Sequence, residues 1–85
     1  MSEPTLILYT TLGCHLCEQA KDQLWPALTH CGWRLQEVDI ADSASLMDRY
    51  GARIPVVARE DSGTELGWPF GTDAVFELLS ERSES

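Results

Sequence analysis

An apolar run of strand length, Thr5-Leu-Ile-Leu-Tyr-Thr10, is followed after only Thr11-Leu12-Gly13 by a Cys14-x-x-Cys17 pair, and apolar residues then recur at helical spacing. Few folds accommodate that order. It calls for a strand, a tight turn, and a helix whose first turn carries two thiols. The first N–H groups of a helix lack intrahelical partners, and the aligned peptide dipoles add partial positive charge there. A thiolate is stabilised at such a spot, and the thiolate is the form of cysteine that attacks disulfides. The opening third of the chain therefore points to redox chemistry.

The remainder reads as alternating elements. Leu16, Ala20, Leu24, Ala27 and Leu28 form one apolar stripe, with Glu18, Gln19, Asp22 and Gln23 on the wet side. Pro26 predicts a kink or an early stop, because it cannot bond the Asp22 carbonyl. Gly32 closes the helix. Residues 33–39 read as a strand with Trp33, Leu35 and Val38 inward, although the period slips by one. After an Asp/Ser-rich turn, Ala44 to Tyr50 forms a short helix with Leu46, Met47 and Tyr50 inward. Residues 54–59 form a strand with Pro55 at its entrance, 60–63 a hairpin turn, and 64–67 the return strand. Thr72 caps a last helix with Val75, Phe76, Leu78 and Leu79 as its apolar face, and the polar tail 81–85 frays. The order is β-α-β-α-β-β-α: a single α/β domain spanning 1–85, with a four-stranded mixed sheet flanked by helices on both faces.

With 85 residues, 44% of them hydrophobic, the chain suffices for one small domain. Three cysteines, an odd number, argue against a secreted disulfide scaffold. The start, Met-Ser-Glu-Pro-Thr, lacks a basic region, and the apolar run after it is too short for a signal sequence or a membrane span. The expected setting is the cytoplasm, without membrane association and as a monomer. Fourteen acidic against six basic residues give a formal charge of −8, which disfavours nucleic acid as a partner and slows encounter with anions unless the site is locally positive.

Three features, Thr11-Leu-Gly-Cys14-His-Leu-Cys17, Val38-Asp39-Ile40 and Tyr50-Gly-Ala-Arg-Ile-Pro55-Val-Val, occur in an order that resembles the thioredoxin fold. The short length looks most like glutaredoxins and the small bacterial glutaredoxin-like proteins. The resemblance covers roughly residues 5–80. It implies thiol–disulfide exchange with Cys14 as exposed nucleophile and Cys17 as buried resolving thiol. It also implies a cis Pro55 that faces the pair and leaves the Ile54 backbone open to an extended substrate. Disulfide-bearing proteins or glutathione mixed disulfides would be substrates. Glutathione or a thioredoxin-type reductase would be the donor, with no tightly bound cofactor. The departures fall on the glutathione-binding half: His15-Leu16 stands where Pro-Tyr is usual, and Gly71-Thr72-Asp73 is a partial counterpart of a Gly-Gly-x-Asp loop. The dithiol half is intact.

Several residues carry two readings. His15 adds positive charge beside Cys14 when protonated, or stays neutral and exposed with little influence. Arg53 is a solvated charge or the group that receives an anionic thiol. Trp68 is a substrate platform or a lid over the last helix, and Cys31 is a small packing residue or a regulatory thiol. Cys14, Cys17 and His30 match three ligands of a zinc-finger spacing, yet no histidine stands at positions 34–36. At about 1.5 Å per residue Cys17 and His30 would also lie roughly 20 Å apart on one helix. An iron–sulfur cluster would need glutathione or a second chain to complete its ligands. The other classes left open are a metal or cluster carrier and a thioredoxin-fold binding module with inert cysteines.

Overall fold

In the computed structural model, which describes residues 4–80, β1 (Thr5–Thr10) lies inside a four-stranded sheet. Helix α1 (His15–Cys31) carries the chain to β2 (Arg34–Asp39), which pairs parallel to β1 at one edge. A short 3-10 turn (Ile40–Asp42) and α2 (Ala44–Tyr50) lead to β3 (Val56–Arg59), antiparallel to β1 on its other side. Strand β4 (Glu65–Gly67) completes the order β2-β1-β3-β4, and α3 (Thr72–Ser80) ends the described chain. The element order and mixed sheet are those expected from sequence. The expectation for the tail 81–85 lies outside the described residues.

Alternation along each strand sorts the side chains between two layers. Leu6 and Leu8 of β1 and Val57 of β3 are fully buried beneath α1 and α3, against Ala20, Leu24, Leu28 and Val75. Ile40, Tyr50 and Val56 form a smaller cluster under α2, with Tyr9, Leu46 and Ile54 packed on it. Continuous apolarity predicts a β1 buried on both faces. The structure covers only one face fully, because a seven-residue α2 leaves Ile7 and Tyr9 half-buried.

Other expectations are corrected by the same geometry. Leu16 is 42% exposed, and Cys17, about 100° round the helix, takes the inward place in the first turn. Met47 is exposed because Leu46 and Tyr50, four residues apart, use the single apolar face of α2. Pro26 neither stops nor shortens α1: it and Asp22, one turn before it, are both exposed, so the unpaired carbonyl lies on the wet side. Gly32, at φ 74°, closes α1 through its N–H to the Leu28 carbonyl, as expected. Strand β2 starts at Arg34 rather than Trp33, and as an edge strand it leaves Trp33, Leu35 and Val38 half-buried. Phe76 is likewise half-buried. Thr72 is the first residue of α3, and its hydroxyl donates to Gln23 Oε1 at 2.8 Å, tying α3 to α1 instead of capping its own helix.

One buried charge binds α3 to the sheet. Arg59, 4% exposed, donates to the Leu78 carbonyl at 2.7 Å and through two nitrogens to Asp61 at 3.0 and 2.9 Å, and it lies over the Trp33 ring. The fork joins β3, its hairpin turn and α3, and the guanidinium holds the Asp61 carboxyl below its usual pKa. Removing the guanidinium leaves the buried Leu78 carbonyl without its donor and strips the packing on Trp33, so Arg59→Ala should cost roughly 2 kcal/mol in denaturant unfolding. Because the Asp61 pKa is depressed, its contribution is present above the unfolded value near 3.8 and is lost as pH falls through the folded value. The stability gap between wild type and Asp61→Asn should therefore be constant at neutral pH and close in acid.

Candidate functional site

The end of β1 and the start of α1 are joined by a turn that only a few residues can make. Gly13 adopts φ 78°, the left-handed region that suits glycine, and the Cys14 N–H donates to the Thr11 carbonyl at 3.3 Å. Cys14 then sits extended in the N-cap position of α1, and its Sγ accepts the Cys17 N–H at 3.2 Å. Cysteine here occupies the place of a Ser or Asp cap, so the sulfur receives a helix N–H directly. Three residues on, Cys17 brings its Cα to 5.3 Å from that of Cys14, and the two are joined by a disulfide. Cys17 is 2% exposed and packs inward, whereas Cys14 is half-buried at the surface.

Sheet register decides what surrounds the pair. Thr10 is opposite Asp39 in the parallel β1–β2 ladder, and Tyr9 is opposite Val56 in the antiparallel β1–β3 ladder. Pro55, one residue before Val56, therefore lies beside the same end of β1 that feeds the cysteine turn. The Ile54–Pro55 and Trp68–Pro69 peptides are both cis. Trp68 donates its backbone N–H to the Pro55 carbonyl at 3.1 Å, and its ring meets Phe70 edge-on at 5.1 Å. Trp68 is thus joined to Pro55 across thirteen residues of sequence. Pro55 is buried, Ile54 packs into the α2 cluster, and His15 is exposed as the first residue of α1.

Arg53 is neither simply solvated nor unengaged. Its guanidinium lies 3.6 Å from Glu65 Oε1 and over the Tyr50 ring, and Arg49 approaches the other Glu65 oxygen at 3.8 Å. Tyr50 donates its phenol to the same carboxylate and stacks on Tyr9 with centroids 4.2 Å apart. Burial, reinforced by the Glu65 hydrogen bond, pushes the Tyr50 phenol up to about 12.

On the α1 side of the cysteines lies an open cleft of about 540 Å³ whose lining includes Leu12, Cys14, Cys17, Lys21, Glu37 and Asp39. Lys21 donates to Glu37 at 2.8 Å, and that bond holds the lysine pKa above its ordinary value. Lys21 was legible as a neighbour of Cys17, one helical turn away. Glu37 and Glu65 were not, since only strand register puts them there. Among the described residues, no group of three or more His, Cys, Asp or Glu side chains is positioned to hold a metal ion. His30, the third residue of the zinc-like spacing, lies in the last turn of α1 and meets Phe76 edge-on at 5.5 Å. Cys31 is half-buried beside the main core, and no described helix is long and apolar enough to cross a membrane.

The family model "Glutaredoxin-like domain (DUF836)" matches residues 5–80. Among solved structures, the structural-genomics target protein XcR50 from X. campestris is 37% identical over 87% of this chain and 93% of that one, with a TM-score of 0.72. Protein Ne2328 from Nitrosomonas europaea is 26% identical over 94% and 95%, with a TM-score of 0.79. Thioredoxin-2, a component of malaria parasite protein secretion machinery, is 14% identical over 91% and 81%, with a TM-score of 0.64, a likeness of fold alone. No curated protein matches. The fold is thioredoxin-like.

The Tyr50 environment makes an alkaline prediction. An unfolded phenol ionises near 10.0 and the folded one at about 12, so stability should hold up to pH 10.0 and fall between those values. Ultraviolet titration should find a phenolate step near 12, and Tyr50→Phe should remove it.

Proposed function

Because the chain belongs to the glutaredoxin-like domain family, we propose that it is a dithiol thiol–disulfide oxidoreductase working through Cys14 and Cys17. The carrying observation is the asymmetry of the pair. Cys14 is reachable and its sulfur accepts a helix N–H, while Cys17 is buried and within bonding reach of it. The N–H and the helix dipole favour the Cys14 thiolate.

In the reaction, the Cys14 thiolate attacks one sulfur of a substrate disulfide, and the other sulfur leaves as a thiolate. The result is a mixed disulfide between Cys14 and the substrate. Cys17, after losing its proton, attacks the Cys14 sulfur and expels the second substrate thiolate. Two electrons pass from the pair to the substrate, and the Cys14–Cys17 disulfide remains. Two thiols, from two glutathione molecules or from one dithiol of a thioredoxin-type reductase, supply the two electrons that return the pair to the dithiol and leave joined as a disulfide. An extended substrate strand would lie along Pro55 and the Ile54 backbone, a reading supported by the register that sets Pro55 beside the end of β1 and by the Trp68 bond to Pro55. His15, exposed beside Cys14, is the group on which local charge would depend.

The reading is tested by equilibrating the protein in glutathione redox buffers and trapping free thiols by alkylation. A reversible two-electron midpoint, within the roughly −270 to −120 mV spanned by such dithiols, should vanish in Cys14→Ser. Cys17→Ser should accumulate the mixed disulfide instead of releasing reduced substrate. Thiols that stay reduced in every buffer would overturn the proposal.

A further inference from the structure

The cleft beside the cysteines has a charge and shape that the exchange chemistry leaves unused. In the parallel ladder Leu35, Glu37 and Asp39 occupy alternate positions opposite Leu6, Leu8 and Thr10, so all three are on the α1 face of the sheet. Leu35 is covered by the core, and the two carboxylates that follow it reach the cleft. Glu18 joins them from α1, giving three carboxylates against Lys21, with His15 the other basic lining residue. Lys21 is already committed, 2.8 Å from Glu37 and 3.8 Å from Glu18. The cleft also has an apolar wall: Leu12, one of its lining residues, is 91% exposed.

We propose that this cleft is a subsite for a lysine or arginine side chain of a polypeptide substrate, next to the disulfide that Cys14 attacks. The inference rests on the thiol–disulfide reading above. A long cationic side chain has an apolar stem and a charged head, which matches the exposed Leu12 side chain set beside carboxylates in one cleft. A bare metal ion does not fit, because the described acidic and thiol groups do not converge in threes. The formal charge of −8 acts in the same direction, drawing cationic segments toward the protein before docking. On the opposite, Pro55 side, Glu65 is already shared by Arg49 and Arg53, so that carboxylate is engaged within the protein. A substrate strand running past Pro55 would thus place its basic residue on the Leu12 side of its cysteine.

The test uses prereduced protein and two peptide disulfides of one sequence that carry either Lys or Glu beside the cysteine. Each rate of oxidation of the pair is divided by the rate with a small neutral dithiol, which removes intrinsic disulfide reactivity. The corrected Lys:Glu ratio should be about tenfold at low ionic strength and shrink to about twofold or less in 1 M salt, where the Debye length is about 3 Å. Glu18→Gln should lower the ratio about threefold, while Glu77→Gln, the same charge change on exposed α3, should leave it in place. A ratio of one, no reaction with either peptide, or an equal effect of the two variants would overturn the subsite. A neutral small disulfide separates the two proposals. If it too fails to oxidise the pair in a Cys14-dependent way, the oxidoreductase reading itself falls; if it reacts while the peptides show no preference, only the subsite does.

Discussion

Burial of Leu6 and Leu8 under α1 and α3 is the contact on which the other arrangements depend. Each fully buried leucine contributes about 1.5–3 kcal/mol from desolvation. The energetic share matters less than the geometric one. These two side chains fix which face of β1 meets the helices, and a strand with period two allows no intermediate choice. Once they point at α1, Tyr9 must point at α2, Glu37 must lie on the α1 face of β2, and Arg59 must aim at α3. The three-residue turn after Thr10 then leaves α1 little freedom over where it begins. Its N-terminus comes down beside the ends of β1 and β2 and the entrance to β3, and Cys17 takes the first inward position.

The electrostatics of the site are a contest between a short-range and a longer-range effect. The Cys17 N–H on the Cys14 sulfur, together with the helix dipole, supplies positive potential within the first turn. Around it lies a surface dominated by carboxylate. Among the described residues, Lys21, Arg49, Arg53 and Arg59 are drawn into ion pairs with Glu or Asp. Those pairs use up cations that would otherwise offset the acidic surplus. The thiolate is thus favoured by contacts at bonding distance, while the approach of larger charged molecules is governed by the excess of acid. Under the proposed exchange, reactivity and partner choice would be set by different groups, and each could be altered without the other.

The same separation runs through the legibility of the chain. The strand–turn–cysteine–helix order, the seven residues of α2 and the hairpin at 60–63 all follow from short-range rules: period, glycine and proline placement, and capping. Cys14 and Cys17 could be singled out for the same reason, since three residues of one helix turn define their relation. Errors arose where a short-range pattern met a tertiary boundary. Leu16 and Met47 satisfy helical spacing but lie where no neighbouring layer covers them. Arg59, at the end of β3, is buried because α3 returns over it with a carbonyl to bond, a contact no local pattern announces.

By itself, then, the sequence determined the identity and order of the elements and the placement of two thiols at a helix N-terminus, because those depend on residues within a few positions of one another. Tertiary structure alone decided that Trp68 bonds Pro55, that Glu65 engages Arg49, Arg53 and Tyr50, and that Glu37 and Asp39 open beside Cys17. Each of those contacts joins residues from separate elements. Strand register fixes them, and register is set by which apolar side chains the helices cover, a property of the packed layers rather than of any one segment.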